Sequence, residues 1–157
     1  MNEVISNEIH KLILNRQTGA LGTLHEGAPY VSMVPYALQT DGSAFLIHVS
    51  KLAAHTNDML GEPRVSLLIT EHETPDTPPQ ALPRLTIQGL AKPIATGSVV
   101  HASAKQSYLE RFPSAAPIFQ LGDFSLFSIT PTSVRWIAGF GQAYSVEPPN
   151  FADIMTA

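Results

Sequence analysis

No cysteine occurs anywhere in the 157 residues. Disulfides, thiolate nucleophiles, zinc ribbons and cysteine-ligated clusters are thereby excluded. Charge is scarce too: Asp, Glu, Lys and Arg make up 14% of the chain, with a formal net charge of −4 and no long basic run. That leaves no electrostatic footprint for nucleic acid, although local positive charge can still serve one small anion. Nowhere do 18 apolar residues run together, so no membrane-spanning helix is expected. The N-terminal MNEVISNEIHKLILNRQTG carries acids early and lacks the charged-then-apolar layout of a secretion signal. A cytoplasmic protein is the expectation.

Apolar residues, in contrast, are plentiful at 44%, and the length suits one domain over residues 1–157 with a core of its own. The low charge argues against disorder and towards surface buried in an oligomer. From Glu3 to Arg16 the residues Val4, Ile5, Ile9, Leu12 and Ile13 recur at helical spacing, with Gly19 as a stop. Three short strand candidates follow, GALGTLHEG, YVSMVPYALQ and AFLIHVS, separated by the turn signals EGAP and TDGS. Pro35 lacks an amide hydrogen and places the second at an edge or bulge. KLAAHTNDMLGEP reads as a short helix capped by Ser50, RVSLLIT as a fourth strand and RLTIQGLAKPIA as a fifth, bulged at Gly89. Between them, EHETPDTPPQALP is too proline-rich for regular structure. A second helix spans SVVHASAKQSYLERF, and a last strand region, DFSLFSITPTSVRWIAGFGQAYSV, is interrupted at Pro131. Short strands with few helices favour a small antiparallel barrel over a parallel sheet.

Chemistry-bearing residues concentrate where AFLIHVS feeds KLAAHTNDML. A helix N-terminus presents unpaired amide hydrogens and a positive dipole end, so Ser50, Lys51, His55 and Thr56 suit a phosphate monoester of a small cofactor. The competing reading is that Ser50 only caps the helix, Lys51 is solvated and His55 is an ordinary surface residue. No Walker-type loop and no Gly-x-Gly-x-x-Gly opening a helix is present; GFGQA, from Gly139 to Ala143, is a near miss. The six histidines, His10, His25, His48, His55, His72 and His101, show no His-x-x-x-His pairing, so no dedicated metal site is expected. No serine sits in a nucleophile elbow. Arg84, directly after the proline-rich loop, is either an exposed strand-end residue or a partner for a planar ring edge. Trp136 and Phe140 lie near glycines, as core, interface or ligand stack.

In order along the chain, TGALGTL…GAPYVSMVPYAL, HVSKLAAHTNDML, PRVSLLI, RLTIQGLA and GFGQA resemble the FMN-binding split-barrel family. That family includes the pyridoxamine 5′-phosphate oxidases, and the likeness is to its HugZ-like, oxidase-related branch. The resemblance implies a mainly β (α+β) fold, a six-stranded antiparallel split β-barrel with flanking helices, and a homodimer with FMN at the subunit interface. It implies a flavoprotein, as an FMN-dependent oxidoreductase on an unknown small molecule. Ser32 with Val34, Pro35 and Tyr36 would lie near the flavin, and His48, Val49 and Ser50 along its ribityl chain. Ser50, Lys51, His55 and Thr56 would hold the phosphate, and Arg84 the isoalloxazine edge. Trp136, Phe140 and Gly141 would close the site from the second subunit.

The chain departs from the family in two places. SMVPYA stands where the true oxidases carry an Arg-x-Val-Leu-Leu-Lys-type strand, so pyridoxamine phosphate oxidation is not expected. No histidine follows His101, whereas heme-degrading relatives carry a C-terminal ligating histidine, so heme oxygenase activity is not expected either. Alternatives are a flavin-storing protein without turnover, a deazaflavin- or heme-binding split barrel, and an empty barrel acting through its dimer interface.

Overall fold

The computed structural model describes residues 3–156. Helix α1 (Glu3–Asn15) is followed by strands β1 (Thr18–His25), β2 (Ala28–Pro35), β3 (Ala37–Leu38) and β4 (Phe45–Ser50). Helix α2 (Ala54–Gly61), strands β5 (Arg64–Thr70) and β6 (Arg84–Pro93) and helix α3 (Val99–Arg111) come next. Strands β7 (Phe124–Gly139) and β8 (Gln142–Val146) and helix α4 (Pro148–Thr156) complete the chain. Every strand pairing is antiparallel, in the order β2-β1-β5-β6-β7-β4-β3, with β8 against β7. The result is an α+β fold: an open, strongly curled sheet, a half-barrel, flanked by helices. Among the described residues no helix is long and apolar enough to cross a membrane.

Alternation sorts the side chains between the faces. Along β1, Gly19, Leu21 and Thr23 point inward, while Ala20, Gly22 and Leu24 line the outer face. Inside the curl, Ile9 and Ile13 of α1 pack with Leu21, Ile47, Leu67, Ile87 and Trp136. A second, smaller cluster of Leu46, Leu126, Ala104 and Tyr108 joins β4 and β7 to α3. The β1–β2 turn, Glu26 and Gly27, has positive φ at both residues (50° and 80°), the twist that suits a two-residue hairpin.

Several expectations change. Among the described residues eight strands stand where six were expected, because β3 follows separately after Tyr36 and the Phe140–Gly141 turn splits β8 from β7. Pro131 does not interrupt β7; it lies opposite Gly89, where the register shifts, and the bulge absorbs the missing amide. Gly89 brings the two backbones so close that a Cβ there would sit 2.6 Å from the Thr130 carbonyl oxygen. Gly19 is no helix stop: α1 ends at Asn15, and Gly19 lies within β1 against Leu67. Ser50 does not cap α2. Its Oγ accepts the Leu52 amide in a local turn, which delays the helix to Ala54 with Ala53 as N-cap. The edge position of β2 and the bulge at Gly89 do agree with the sequence reading.

Candidate functional site

Helix α2 packs across the inner side of β1, and a polar cluster forms where they meet. Thr23 Oγ1 donates to Asp58 Oδ2 at 2.9 Å, and His25 Nδ1 donates to Asp58 Oδ1 at 2.6 Å. Asp58 is buried, while the His25 side chain is 47% exposed. A carboxylate only accepts, so the proton of neutral His25 sits on Nδ1 and the lone pair on Nε2. The hydrogen bond to Asp58, and then its charge, raises the His25 pKa above the usual imidazole value. For Asp58, burial pushes the carboxyl upward, but the bonds from His25 and Thr23 outweigh it and hold the pKa below the usual range. The Tyr30 ring leans against His25 with centroids 5.6 Å apart. Beside this cluster, Ser32 Oγ and His55 Nδ1 are hydrogen-bonded at 3.0 Å, and burial lowers the His55 pKa.

Two hollows meet at Leu24 and Arg64. One, about 620 Å³, runs along the outer face of β1, β5 and β6, over Tyr30, Val31, Gln88 and Leu90. The other, about 730 Å³, lies between the β1–β2 turn and the end of α2 and contains His25, Asp58 and Glu62. Arg64 at their junction is held in a forked pair by Glu62, at 2.8 and 3.2 Å. Both volumes fall in the range of small-molecule and cofactor sites.

The residues singled out from sequence are not gathered into one place. Val34, Tyr36, Val49 and Trp136 are buried in the core. Trp136 Nε1 has no hydrogen-bond partner among the described residues. Pro35 is exposed at the end of the edge strand. His48 faces α3, its ring stacked on Phe119 with centroids 3.8 Å apart. Thr56 is buried, and its hydroxyl donates to the Ser50 carbonyl at 2.6 Å. Lys51 Nζ donates to the Gly122 carbonyl at 3.2 Å. Arg84 donates to the carbonyls of Leu82 and Gln80, pinning the end of the proline-rich loop. Phe140 is exposed at the β7–β8 turn beside Gly141, whose φ is 75°. Ser32 and His55 remain together as a side-chain pair, while Thr56 reaches only the backbone of Ser50. Sequence reasoning missed Asp58 altogether and counted His25 only among scattered histidines. The available signal was the alternation of β1, which puts Thr23 and His25 on the face that α2 must cover.

The curled antiparallel sheet, its flanking helices and the α2–β1 junction define a split-barrel protein. Residues 5–138 match the pyridoxamine 5′-phosphate oxidase family, and the chain belongs to that family, in its HugZ- and HutZ-like branch. It is 35% identical over 140 residues to the chloroplastic heme oxygenase HOZ of Arabidopsis thaliana, covering 87% of this chain and 41% of HOZ. It is 30% identical over 150 residues to the heme oxygenase HutZ of Vibrio cholerae, covering 94% of this chain and 84% of HutZ. The HutZ crystal structure, described as that of a heme storage protein, matches with TM-score 0.74 and 28% identity over 81% of this chain and 89% of HutZ. A heme binding protein from Mycobacterium smegmatis matches with TM-score 0.85 and 27% identity over 98% of this chain and 62% of that one. The chain thus spans under half of HOZ and under two thirds of the mycobacterial protein.

These relatives overturn the expectations of FMN as cofactor, of a flavoprotein, of an FMN-dependent oxidoreductase, and of flavin at a subunit interface. Each is described by the heme it handles. The physical reason for the error is that a shared barrel does not determine its ligand; the side chains facing the site do. Heme fits the donor set present here. Without cysteine, neither thiolate ligation nor thioether attachment is possible, and the side chains that remain as iron ligands are imidazole, phenolate and methionine sulfur. The apolar groove lies on the outer face of the sheet and offers a surface for a macrocycle, whereas His25 stands on the other face of β1, in the neighbouring polar hollow.

Proposed function

We propose that this chain is a heme-binding protein of the heme-oxygenase-like branch, holding heme without covalent attachment as a single domain over residues 1–157. The observation that carries the reading is likeness to heme proteins over nearly the whole chain, 94% of it in the case of HutZ. Leu24, Tyr30, Val31 and Leu90 would offer the apolar surface, with Arg64 at the rim shared with the polar hollow. Ser32 and His55 are the two residues of the sequence reading that we keep near the site. Bound heme would supply the oxygen-activating chemistry. The protein's part is to orient the macrocycle, exclude water and hold protons at defined atoms.

Reconstitution tests this directly. Titration with hemin is expected to saturate at one equivalent per chain with a sharp Soret band that survives desalting. A Soret band lost on desalting would sink the reading. With a reductant and oxygen, progressive loss of that band with release of a linear tetrapyrrole is expected of an oxygenase. A stable band under the same conditions favours storage, the role in which the HutZ structure is described.

We further infer a homodimer closed over the outer face of the sheet, an arrangement in which the groove itself would lie between the two subunits. Val31 and Met33 are 68% and 65% exposed there, on the edge strand, beside the partly exposed Leu68 and Leu90. Such an apolar strip marks an interaction surface. Light scattering is expected to give twice the chain mass for the wild type, and the chain mass for Val31→Glu/Met33→Glu. A monomeric wild type would refute the dimer.

A further inference from the structure

Alternation fixes which side chains stand over the outer face of the sheet. Arg64 and Ser66 on β5 share that face with Gln88 and Leu90 on β6, Arg64 lying opposite Leu90 and Ser66 opposite Gln88. Gly22 of β1, opposite Ser66 on the other side, has no side chain to raise the floor. Each of these residues lines the apolar groove. Arg64 is the only lysine or arginine that does so. It is also the only one lining the neighbouring polar hollow, whose carboxylates are Glu26, Asp58 and Glu62.

We propose that Arg64 anchors a propionate of heme seated in this groove, with its guanidinium positioned by Glu62. The proposal rests on the heme-binding reading above. Heme is an apolar disc with its propionate carboxylates along one edge, so a groove that seats it needs a flat apolar floor and a cation at one end. The carboxylates of the polar hollow repel that edge, and Arg64 is the one charge on the groove that attracts it. Its guanidinium is set in place beforehand. Glu62 Oε1 accepts from the Arg64 backbone amide at 3.1 Å and from Nε at 2.8 Å, while Oε2 accepts from Nη2 at 3.2 Å. Pro63 between the two residues limits the backbone further, so the fork is tied to the first residue of β5. Nη1 has no hydrogen-bond partner among the described residues, and the Arg64 side chain is 72% exposed. Donors therefore remain for a second carboxylate, and an arginine keeps its charge throughout the working range. An exposed ion pair adds little to fold stability, so variants at Arg64 can be assayed as folded proteins.

The test titrates hemin and hemin dimethyl ester, which lacks the propionate charges, into the wild type and variants, with circular dichroism as the folding control. The wild type is expected to prefer hemin, by a margin that shrinks as salt is added. Arg64→Gln should bind hemin about tenfold more weakly and the diester as before. Arg64→Lys, which keeps the charge without the fork, should recover part of the loss. Arg64→Gln leaves the Glu62 carboxylate unpaired, so Glu62→Gln/Arg64→Gln is the control: hemin should be weakened there too, by lost attraction and not by added repulsion. Gly22→Leu checks the seat itself. A Cβ at Gly22 meets Ser66 only at ordinary contact distances, 3.6 and 3.8 Å, so the strand accepts it while the larger side chain fills the groove; both porphyrins should bind more weakly. A wild type that binds the two porphyrins alike, or an Arg64→Gln variant that weakens both equally or neither, would overturn the anchor while leaving heme binding intact. Unchanged hemin affinity in Gly22→Leu would take heme out of this groove, and the anchor with it. A wild type that takes up no hemin would instead overturn the heme reading.

Discussion

Tyr36→Ala is expected to cost about 3–5 kcal/mol of folding stability, the range for truncating a large buried aromatic, whereas Ser32→Ala at the polar pair should leave the denaturation midpoint nearly unmoved. Tyr36 has no exposed surface, and it joins three parts of the fold. Its hydroxyl donates to the Ile13 carbonyl at 2.9 Å, its edge meets Phe45, and the Arg111 guanidinium lies 5.1 Å from the ring centroid. Burial raises the phenol pKa well above its ordinary value, so it remains a neutral donor throughout the working range. Tyr36→Phe removes only the hydrogen bond and leaves the Ile13 carbonyl without it, which should cost about 1–2 kcal/mol. Urea denaturation of the three variants checks the ordering. A mild Tyr36→Ala phenotype would mean that this side chain faces a site, as the family resemblance suggested, and not the core.

Acid is expected to destabilise the protein through His48, and the effect should disappear in His48→Met. The ring is half-buried among Phe119, Tyr108 and Phe124. Burial, with smaller contributions from the positive charges of His101 and Lys105, lowers its pKa to about 4. The unfolded chain takes up a proton near the ordinary value of about 6.5, before the folded protein does. Stability from the neutral ring is therefore fully present above about pH 6.5 and is lost as pH falls towards 4. The full shift corresponds to roughly 3 kcal/mol, and partial solvent screening reduces this to about 2 kcal/mol. Urea midpoints for wild type and His48→Met at pH 7, 5.5 and 4.5 decide it: the curves should diverge as pH falls. Parallel curves would mean that His48 is protonated within the folded protein.

Most strands were legible from residue order. The turn signal EGAP does separate β1 from β2 and TDGS does separate β3 from β4, and Pro35 does end an edge strand. The 3.6-residue apolar spacing of α1 survives in the burial of Ile9, Leu12 and Ile13. What escaped was of two kinds. Tiny strands and terminal helices carry too little pattern: β3 is two residues long, and α4 begins with two prolines. The second kind concerns which way a polar residue turns. Ser50, Lys51 and Thr56 looked like donors waiting for an anion, yet in the fold they serve the backbone of their own turn and of Gly122. A hydroxyl at a strand–helix junction has backbone partners within reach, and they compete with any ligand.

The polar cluster where α2 meets β1 shows the same division. Alternation along β1, set by the two-residue period of an extended chain, determined that Thr23 and His25 share a face opposite to Leu24. Composition determined that no thiolate would serve there, because the chain has none. Only the tertiary structure decided that Asp58, 33 residues beyond His25, would meet it. That contact depends on the angle at which α2 lies across the sheet, which is set by burial of Met59 and Thr56 beneath the helix rather than by any local preference of Asp58. A side chain's reach is a few ångströms, so its partner is chosen by packing, and packing is a property of the whole fold.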